Sequence, residues 1–442
     1  MSSEGAMTAS LPLLGELPSD WDVAPLSEVL MGGTRNGIYK PKKYHGSGAK
    51  VVNMGELFAN PRLFDIPMRR LRLTESEESR FSLEVGDLLF ARRSLVDEGA
   101  GKCSIVMELA EPTVFESSII RARPDEHVAD SLFLFYLFSS PFGKYSLGSI
   151  RREMAVAGIT GADLQKLPIP VPPLAKQKRI ARILGTLDDK IELNRRMNRT
   201  LEAIARAIFK SWFVDFDPVH AKAEGREPVG MDPETAALFP DSFQDSPLGK
   251  IPKGWEVSTI GKEFNLIMGQ SPPGTTYNEV GEGMPFFQGR RDFGFRFPVQ
   301  RVYCTAPKRV AEEGDTLVSV RAPVGDVNMA PLQLCLGRGL AGVRHNSGSR
   351  SFTYYSMLSL RERFREYESE GTVFGAINKS QFSDLDWVNP GANAVAAFED
   401  SLFAADESIR LNELESLQLA RIRDMLLPEL LSGSANLRDE EP

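Results

Sequence analysis

Cysteine, histidine and long apolar runs are all scarce in this chain of 442 residues. Its three cysteines, Cys103, Cys304 and Cys335, are far apart and form no CxxC pair, so neither a disulfide framework nor a zinc site is indicated. The 4 histidines are isolated, without the paired spacing that a metal site needs. The most apolar run, 132–138, is too short to span a bilayer, and the N-terminus lacks the basic and apolar segments of a signal peptide. We therefore expect a reduced, cytoplasmic protein with no membrane segment, metal or cofactor of its own.

The motifs of the common nucleotide-dependent enzymes are also missing. Gly101 and Lys102 are followed by Cys103, and Val96 stands where a phosphate-binding P-loop needs its first glycine. The two Pro-Pro pairs, at 172–173 and 272–273, lack the flanking residues of an amino-methyltransferase motif. These absences favour a non-catalytic binding protein.

The clearest pattern in the chain is a predicted long helix from 174 to 213. Apolar residues recur there at alternating spacings of four and three, as in the heptad seam of a coiled coil. A pair of prolines at 172–173 marks its start. The predicted interface positions, which include two asparagines at the middle, are Ile180, Leu184, Leu187, Ile191, Asn194, Asn198, Leu201 and Ile208.

The same organisation occurs a second time. The opening at Gly249 resembles the opening at Gly15, with Trp255 in the place of Trp21, and residues 155–167 match residues 373–385 at an offset of 218. The offset predicts a second, weaker seam, with interface positions Leu402, Ile409, Asn412, Ser416, Leu419 and Leu426. The chain is therefore predicted to be a tandem repeat of a globular domain and a long helix.

The two predicted helices can pair with each other. An antiparallel pair sets Asn194 against Ser416 and Asn198 against Asn412, but a parallel pair also brings polar residues together, so the polar layer alone does not decide. The order of the chain favours the antiparallel pair, because each helix follows its own globular domain. The helices also differ in charge, since residues 174–214 carry 10 basic and 4 acidic side chains while residues 392–442 carry 4 and 11.

These patterns predict an α+β protein in which two α/β domains are joined and separated by an antiparallel coiled coil. The first domain is predicted at 1–173, because short β-rich runs and an aromatic helix at 130–140 precede the long helix. The remaining predicted segments are a first long helix at 174–214, an acidic linker at 215–248, a second domain at 249–391, a second long helix at 392–433 and a disordered tail at 434–442.

Basic and amide side chains cluster in Gly-rich loops of both predicted domains. Arginine, glutamine and asparagine can form bidentate hydrogen bonds with DNA base edges, while lysine, serine and threonine suit phosphates. A solvated basic surface explains any single residue equally well, and the recurrence of Arg92, Arg93 and Arg321 at equivalent places favours DNA. The candidate DNA-binding residues are Arg35, Lys40, Lys42, Lys43, Arg92, Arg93, Arg151, Arg152, Gln270, Ser271, Thr276, Arg290, Arg291, Arg321, Arg338 and Lys379.

Several stretches resemble a known family. The segment PIPVPPLAKQKRIARILGTLDDKIELNRRMNRTLEAIARAIFKSWFVDF resembles the central region of the specificity subunits of type I restriction-modification enzymes. The stretches GQSPPGTTYN, PFFQGRRDFG, VSVRAPVGDVN and CLGRGLAGVR resemble one class of target recognition domain in those subunits, and LLPELLSG resembles their C-terminal helix ending. Two departures are Lys176, where the family usually has Glu, and Val395, where the repeat would have Gln.

This resemblance implies a non-catalytic subunit whose two target recognition domains each read one half of a bipartite, asymmetric site in double-stranded DNA. The helices would set the unread spacer and dock two methyltransferase subunits, which use S-adenosylmethionine to methylate adenine at N6. Restriction subunits, with ATP and Mg²⁺, would add DNA cleavage. Two other hypotheses stay open: a coiled-coil adaptor that scaffolds two protein partners without binding DNA, and a fused enzyme, which the missing motifs disfavour.

Overall fold

The computed structural model describes residues 10–94, 99–152, 157–369 and 375–435, so the end of the predicted tail lies outside the described residues. The chain divides into two compact units. The first unit comprises residues 1–192 and 417–442, and the second comprises residues 193–416. Among the described residues, no helix has both the length and the apolar character that crossing a membrane needs.

The first unit is a mixed domain of short strands and helices. Its helices are α1 (Met54–Ala59), α2 (Glu75–Phe81), α3 (Ser131–Ser139), α4 (Pro141–Ser149) and α5 (Gly161–Gln165). Its strands are β1 (Ser10–Leu11), β2 (Gly15–Glu16), β3 (Asp22–Pro25), β4 (Leu30–Asn36), β5 (His45–Val52), β6 (Arg62–Leu63), β7 (Arg69–Leu71), β8 (Leu88–Ala91), β9 (Arg93–Ser94), β10 (Cys103–Val106), β11 (Thr113–Phe115), β12 (Ile119–Pro124), β13 (Ala157–Gly158) and β14 (Pro168–Val171).

Two 40-residue helices, α6 (Leu174–Phe213) and α13 (Ala392–Leu431), each contribute residues to both units. The helices of the second domain are α7 (Asp217–Ala223), α8 (Pro233–Ala237), α9 (Ile260–Glu263), α10 (Arg350–Ser359), α11 (Arg361–Ser369) and α12 (Lys379–Ser383). Its strands are β15 (Phe243–Ser246), β16 (Gly249–Pro252), β17 (Glu256–Thr259), β18 (Phe264–Met268), β19 (Tyr277–Asn278), β20 (Met284–Phe287), β21 (Tyr303–Cys304), β22 (Val310–Ala311), β23 (Thr316–Ser319), β24 (Val327–Met329), β25 (Leu334–Leu336), β26 (Leu340–His345) and β27 (Asp386–Asn389).

The central sheet of each unit has the same order. Strands run β4-β12-β8-β10 in the first unit and β18-β26-β23-β24 in the second, with antiparallel pairing throughout both series. A helical hairpin follows in each unit, α3–α4 or α10–α11, and then a short helix, α5 or α12. In each unit the strand before the long helix pairs with a strand near the start of the domain: β14 with β3, and β27 with β17. The repeat predicted from the sequence is therefore also a repeat of the fold.

The long helices pair antiparallel in each unit. In the second unit the side-chain oxygen of Asn198 accepts a hydrogen bond from Asn412 at 2.9 Å, and the amide of Asn194 donates to the hydroxyl of Ser416 at 3.3 Å. In the first unit Asp188 accepts from Arg423 at 2.6 Å. As the residue number rises along α6, the number of its partner residue on α13 falls. The antiparallel alternative is therefore the correct one.

The predicted interface positions are buried to different degrees. Fully buried among them are Ile180, Leu184, Ile191, Asn194, Asn198, Leu402 and Ile409. Half-buried are Leu187, Leu201, Ile208, Asn412, Ser416, Leu419 and Leu426. Polar groups in the buried layer set the register of a helix pair at some cost in stability.

The segment 215–248 differs from the linker that its acidic composition predicted. It forms α7, α8 and β15, which pairs with the following strand β16, and its apolar side chains pack into the core of the second unit. Val219 and Phe239 are fully buried, and the ring of Phe239 lies 5.3 Å from that of Trp212 and 6.2 Å from that of Trp255. A few well-placed apolar side chains therefore anchor a segment that is otherwise polar.

Each domain is attached to a long helix by polar contacts. In the first unit Gln177 accepts from the amide of Asp130 at 2.9 Å and donates to the carbonyl of Pro172 at 2.8 Å. Val395 stands at the equivalent place in α13, but Glu399, one turn later, accepts from the backbone amide of Ser351 at 2.9 Å. A carboxylate is favourable there because it faces the N-terminus of α10. Glu399 thus supplies the contact that the departure at 395 removes.

Candidate functional site

Several loops of the second unit meet at one edge of its sheet. The amide of Gln270 donates to the carbonyl of Leu336 at 3.0 Å, and the amide of Gly339 donates to the carbonyl of Gln288 at 2.9 Å. The amide of Val320 donates in turn to the carbonyl of Gly339 at 2.9 Å. These backbone bonds bring the loops at 270–271, 288–291, 320–321 and 337–339 together, and we call this set the second loop edge.

The segment after the hairpin α10–α11 joins the second loop edge. The amide of Ile377 donates to the carbonyl of Val320 at 3.1 Å, and Arg321 forms a β-bridge with Ala376. Lys379 follows two residues later, at the start of α12. The chain thus places Lys379 beside a loop that lies about 60 residues earlier in the sequence.

The first unit contains an equivalent arrangement. The amide of Gly37 donates to the carbonyl of Ile119 at 3.0 Å, the amide of Arg92 to the carbonyl of Ser118 at 2.8 Å, and the amide of Ile159 to the carbonyl of Arg92 at 3.0 Å. Arg93 pairs with Gly158 across β9 and β13. We call the loops at 35–37, 92–93, 117–118, 151–152 and 157–159 the first loop edge. Arg93 in this edge and Arg321 in the other occupy the same place in the repeat.

Glycine permits the close backbone approach at both edges. A side chain on Gly37 would overlap the carbonyl oxygen of Glu116, and a side chain on Gly269 would overlap the carbonyl oxygen of Gly337. Both glycines donate their amide to the strand that forms the middle of the edge, Gly37 to Ile119 and Gly269 to Leu340. Their shared geometry is further evidence that the edges are equivalent.

Five candidate side chains of the second unit are exposed. Gln270, Arg291, Arg321, Arg338 and Lys379 have no side-chain hydrogen bond or ion pair with the part of the chain that the structure describes. They are therefore available to an external ligand. Guanidinium and carboxamide groups of this kind suit base edges or phosphates.

The other candidates of the second unit have partners. Arg290 is paired with Asp326, which also accepts from Arg361 at 2.9 Å. The hydroxyl of Ser271 accepts from the amide of Arg338 at 3.2 Å, so Ser271 orders the loop that carries Arg338. The hydroxyl of Thr276 donates to the carbonyl of Pro273 at 2.7 Å. The contacts of Arg290 and Ser271 organise the edge itself, whereas that of Thr276 lies within the turn at 273–276, outside the edge.

The arginines of the first unit are partly engaged. The guanidinium of Arg35 donates to the carbonyl of Arg80 at 2.6 Å, and that of Arg152 donates to Asp163 at 2.6 Å. Arg92 donates to a backbone carbonyl at 3.4 Å, while Nε of Arg151 is buried without a hydrogen-bond partner among the described residues. Arg93 is exposed and has no side-chain hydrogen bond or ion pair with the residues that the structure describes.

The three lysines lie on the loop between β4 and β5. Lys40 forms an ion pair with Glu77 at 2.6 Å, and the hydrogen bond from Lys40 lowers the pKa of that carboxyl. Lys40 and Lys43 also lie 4.7 and 5.1 Å from the ring centre of Tyr44, a cation–π distance. Lys42 and Lys43 remain exposed to solvent and suit phosphate contacts.

Arg296 is a residue whose role the sequence did not indicate. It belongs to the arginine-rich segment 288–298, yet it is 1% exposed. It forms ion pairs with Glu202 of α6 and Asp406 of α13, and donates to the hydroxyl of Tyr355 at 2.8 Å. The signal in the sequence is weak and consists of Phe295 and Phe297, the aromatic residues on either side of it.

The structure offers little for covalent or metal chemistry. In the described ranges, no group of three or more His, Cys, Asp or Glu side chains is arranged to hold a metal ion. Burial raises the pKa of the Cys103 thiol well above its ordinary value, so this thiol stays protonated and unreactive. What the arrangement provides is two equivalent edges that present exposed cationic and amide groups.

Known proteins share both the sequence and the fold. The family model for the type I restriction modification DNA specificity domain matches residues 18–203. A Methanocaldococcus jannaschii protein, described as a candidate type I restriction enzyme MjaX specificity subunit, is 30% identical over 432 residues, 96% of each chain. The type I restriction enzyme HindI specificity subunit of Haemophilus influenzae is 25% identical over 80% of this chain and 88% of its own. The crystal structure of a type I restriction-modification system S subunit from M. genitalium has the same fold, with a TM-score of 0.55 at 16% identity, and covers 96% of this chain and 99% of its own.

Proposed function

This chain belongs to the family of type I restriction enzyme specificity subunits, and we propose that it selects the DNA sequence on which such an enzyme acts. The observation that carries the proposal is the recurrence of one loop edge in both units, each with an exposed arginine at the same place, Arg93 or Arg321. Each edge reads one half of a bipartite site.

The second loop edge has the side chains that direct base recognition needs. Arginine forms bidentate hydrogen bonds with guanine, and glutamine does so with adenine, in the major groove. Arg321, Arg338 and Gln270 are exposed and free of side-chain partners among the described residues, so no internal bond is lost when they bind a base. Lys379, with the lysines of the first unit, contributes phosphate contacts, which position the protein without reading sequence.

The two half-sites differ in sequence, because the equivalent edges carry different side chains. Arg92 precedes Arg93 in the first unit, whereas Val320 precedes Arg321 in the second. The loop after β4 carries lysines in the first unit, while the loop after β18 carries Gln270. Such a site is bipartite and asymmetric.

The helix pair sets the length of the unread spacer between the half-sites. A helix of 40 residues is about 60 Å long at 1.5 Å per residue, and the buried asparagine layer fixes its register with the partner helix. A stiff element of this length is what a spacer device requires.

The helix pair also docks two methyltransferase subunits. Within the second unit its outer surface exposes large apolar side chains, which mark interaction surfaces when they are grouped: Leu193, Met197 and Ile204 of α6, and Phe403, Leu411 and Leu414 of α13. Catalysis belongs to the partner subunits. The methyltransferase subunits use S-adenosylmethionine to methylate adenine at N6, and restriction subunits use ATP and Mg²⁺. The chain itself is non-catalytic and acts where the host DNA is, in the cytoplasm.

Methylome sequencing tests this function. The chain is co-expressed with the methyltransferase subunit of the same organism, and the modified bases are mapped. The expected result is N6-methyladenine in a single bipartite motif with a fixed spacer. An intact complex that methylates no such motif contradicts the proposal, and an intact complex that fails to shift DNA in a mobility assay favours the adaptor hypothesis instead.

A further inference from the structure

A buried arginine connects the second loop edge to both long helices. Arg296 lies in the segment 288–298, which begins at the loop edge with Gln288 and ends inside the unit. Its Nη1 is 2.8 Å from Oδ1 of Asp406 on α13, and its Nη2 is 3.5 Å from Oε2 of Glu202 on α6. The side chain thus spans the two helices while its backbone belongs to the segment that carries Arg290 and Arg291.

Aromatic groups hold the guanidinium in this position. Its carbon lies 4.0 Å from the ring centre of Tyr354, and the hydroxyl of Tyr355 accepts from Nη2 at 2.8 Å and donates to Asp406 at 3.1 Å. A planar guanidinium that stacks and forms directed hydrogen bonds cannot be replaced by a lysine without loss of geometry. The cluster therefore defines one position for Arg296.

The same segment is fixed on its other side by the sheet. The amide of Met329 donates to the carbonyl of Arg296 at 2.9 Å, and the side-chain amide of Asn328 donates to the carbonyl of Gly294 at 3.2 Å. Asp326, on the loop before these residues, binds Arg290. A shift of Arg296 would therefore move the segment that supplies Gln288, Arg290 and Arg291 to the edge.

The first unit places an equivalent aspartate in a different cluster. Asp188, which corresponds to Asp406 at the offset of 218, accepts from the hydroxyl of Tyr136 at 2.7 Å and from Arg423 at 2.6 Å. The arginine of that cluster comes from α13. In the second unit it comes from the segment 288–298, so there the aspartate contacts a segment that leads to the loop edge.

We propose that Arg296 is a positioning residue for base recognition by the second unit, because it fixes the segment 288–298 to the helix pair. This inference rests on the proposed function. Arg296 is too deeply buried to contact DNA, so its effect acts through Gln288 and Arg291. Recognition of one half-site then depends on a charge cluster that DNA does not touch.

The test compares methylation by complexes that contain variants of this chain. Replacing Arg296 alone leaves the carboxylate of Asp406 without its cationic partner inside the unit, which destabilises the fold. The principal variant is therefore the double substitution Arg296→Met with Asp406→Asn, in which Glu202 keeps its pair with Arg206. Arg226→Met is the matched control, because Arg226 is 58% exposed in its side chain and pairs with Glu224, which is also exposed and lies outside the segment 288–298. Melting temperatures of all variants are measured first.

Methylation rates are then measured on the cognate site and on sites with one base changed in either half. For the double variant we expect about a tenfold or larger loss on the cognate site, because small displacements of positioned groups cost rates of this order. Discrimination should be lost in the half that the second unit reads, with the other half and the spacer unchanged. Arg226→Met should match the wild type.

Three outcomes overturn the inference. One is a double variant that has the melting temperature of the wild type and discriminates between bases in both halves as the wild type does. Another is equal loss of discrimination in both halves, which indicates general destabilisation. If the double variant does not fold, the test uses Arg296→Lys, which keeps the charge. The third outcome is that Arg296→Lys discriminates between bases as the wild type does. A wild-type complex that methylates no bipartite site contradicts the proposed function itself.

Discussion

Lengthening both long helices by one heptad should lengthen the spacer of the recognised DNA site. The insertions belong at opposed positions, between Asn198 and Glu202 in α6 and between Asp406 and Asn412 in α13. There they leave the Asn198–Asn412 layer on one side and the Arg296 cluster, with the second domain, on the other. Seven residues preserve the heptad seam, so the helices can still pair.

The size of the effect follows from helix geometry. Seven residues at 1.5 Å per residue add about 10 Å to the helix pair. At 3.4 Å per base pair this corresponds to about three additional base pairs in the spacer. Because the loop edges are unchanged, both half-sites should keep their sequence.

The assay is methylation of duplexes that carry the wild-type half-sites with spacers shortened or lengthened one base pair at a time. The optimum should move by about three base pairs. An insertion into α6 alone is the control, since the asparagine layer and the Arg296 cluster then cannot both match α13, and this should abolish folding or assembly. An unchanged spacer optimum, or altered half-sites with an intact complex, would refute the role assigned to the helices.

Two further predictions concern stability. Phe239→Ala should lower the free energy of unfolding by about 3–5 kcal/mol in a denaturation experiment, because the ring is fully buried; a loss below about 1 kcal/mol would mean that the segment 215–248 is not anchored. Hydrogen bonds from Arg70 and Lys50 lower the pKa of Glu111 from 4.5 to about 2. The stabilisation of the fold by these bonds is therefore present above the ordinary pKa of a glutamate carboxyl. It is lost as the pH falls from about 4.5 to about 2. The melting temperature of Glu111→Gln should lie below that of the wild type near neutral pH, and this difference should shrink over that acid range; a difference that does not change with pH contradicts the assignment.

The long helices were predictable because their signals are local and repeated. The heptad spacing and the prolines at 172–173 define a helix from 174 to 213, and α6 spans Leu174–Phe213. Asn194 and Asn198 showed where the polar layer lies, but two arrangements satisfied it, and the order of the chain decided between them. The repeat then predicted the shared domain architecture.

The features that sequence could not provide depend on contacts between distant residues. Arg296 lies in a basic segment that suits DNA, and its burial arises from Glu202 and Asp406, which are 94 and 110 residues away. The side chains of Arg35 and Lys40 are engaged by residues of the α2 region, which no local pattern indicates. The prediction of a linker at 215–248 was wrong for the same reason, since the average composition of this segment conceals the few apolar residues that pack into the core.

The loop edges were likewise predictable from the sequence only in part. The sequence located Arg93 and Arg321 as equivalent basic residues, yet the loops that surround them are assembled by backbone bonds across the sheet, such as that from Val320 to Gly339. Which side chains remain exposed depends on that assembly. The individual base contacts therefore stay predictions.

The most direct test of the central claim is the methylated motif of a complex that contains Arg321→Ala, compared with that of the wild type. Loss of one bidentate contact costs about 1–3 kcal/mol in discrimination at a single base pair. We predict a motif that becomes degenerate at one position, or at adjacent positions, of one half-site, while the other half-site and the spacer are unchanged. A motif identical to that of the wild type, or one degraded in both halves, would contradict the claim that each unit reads its own half of the DNA site.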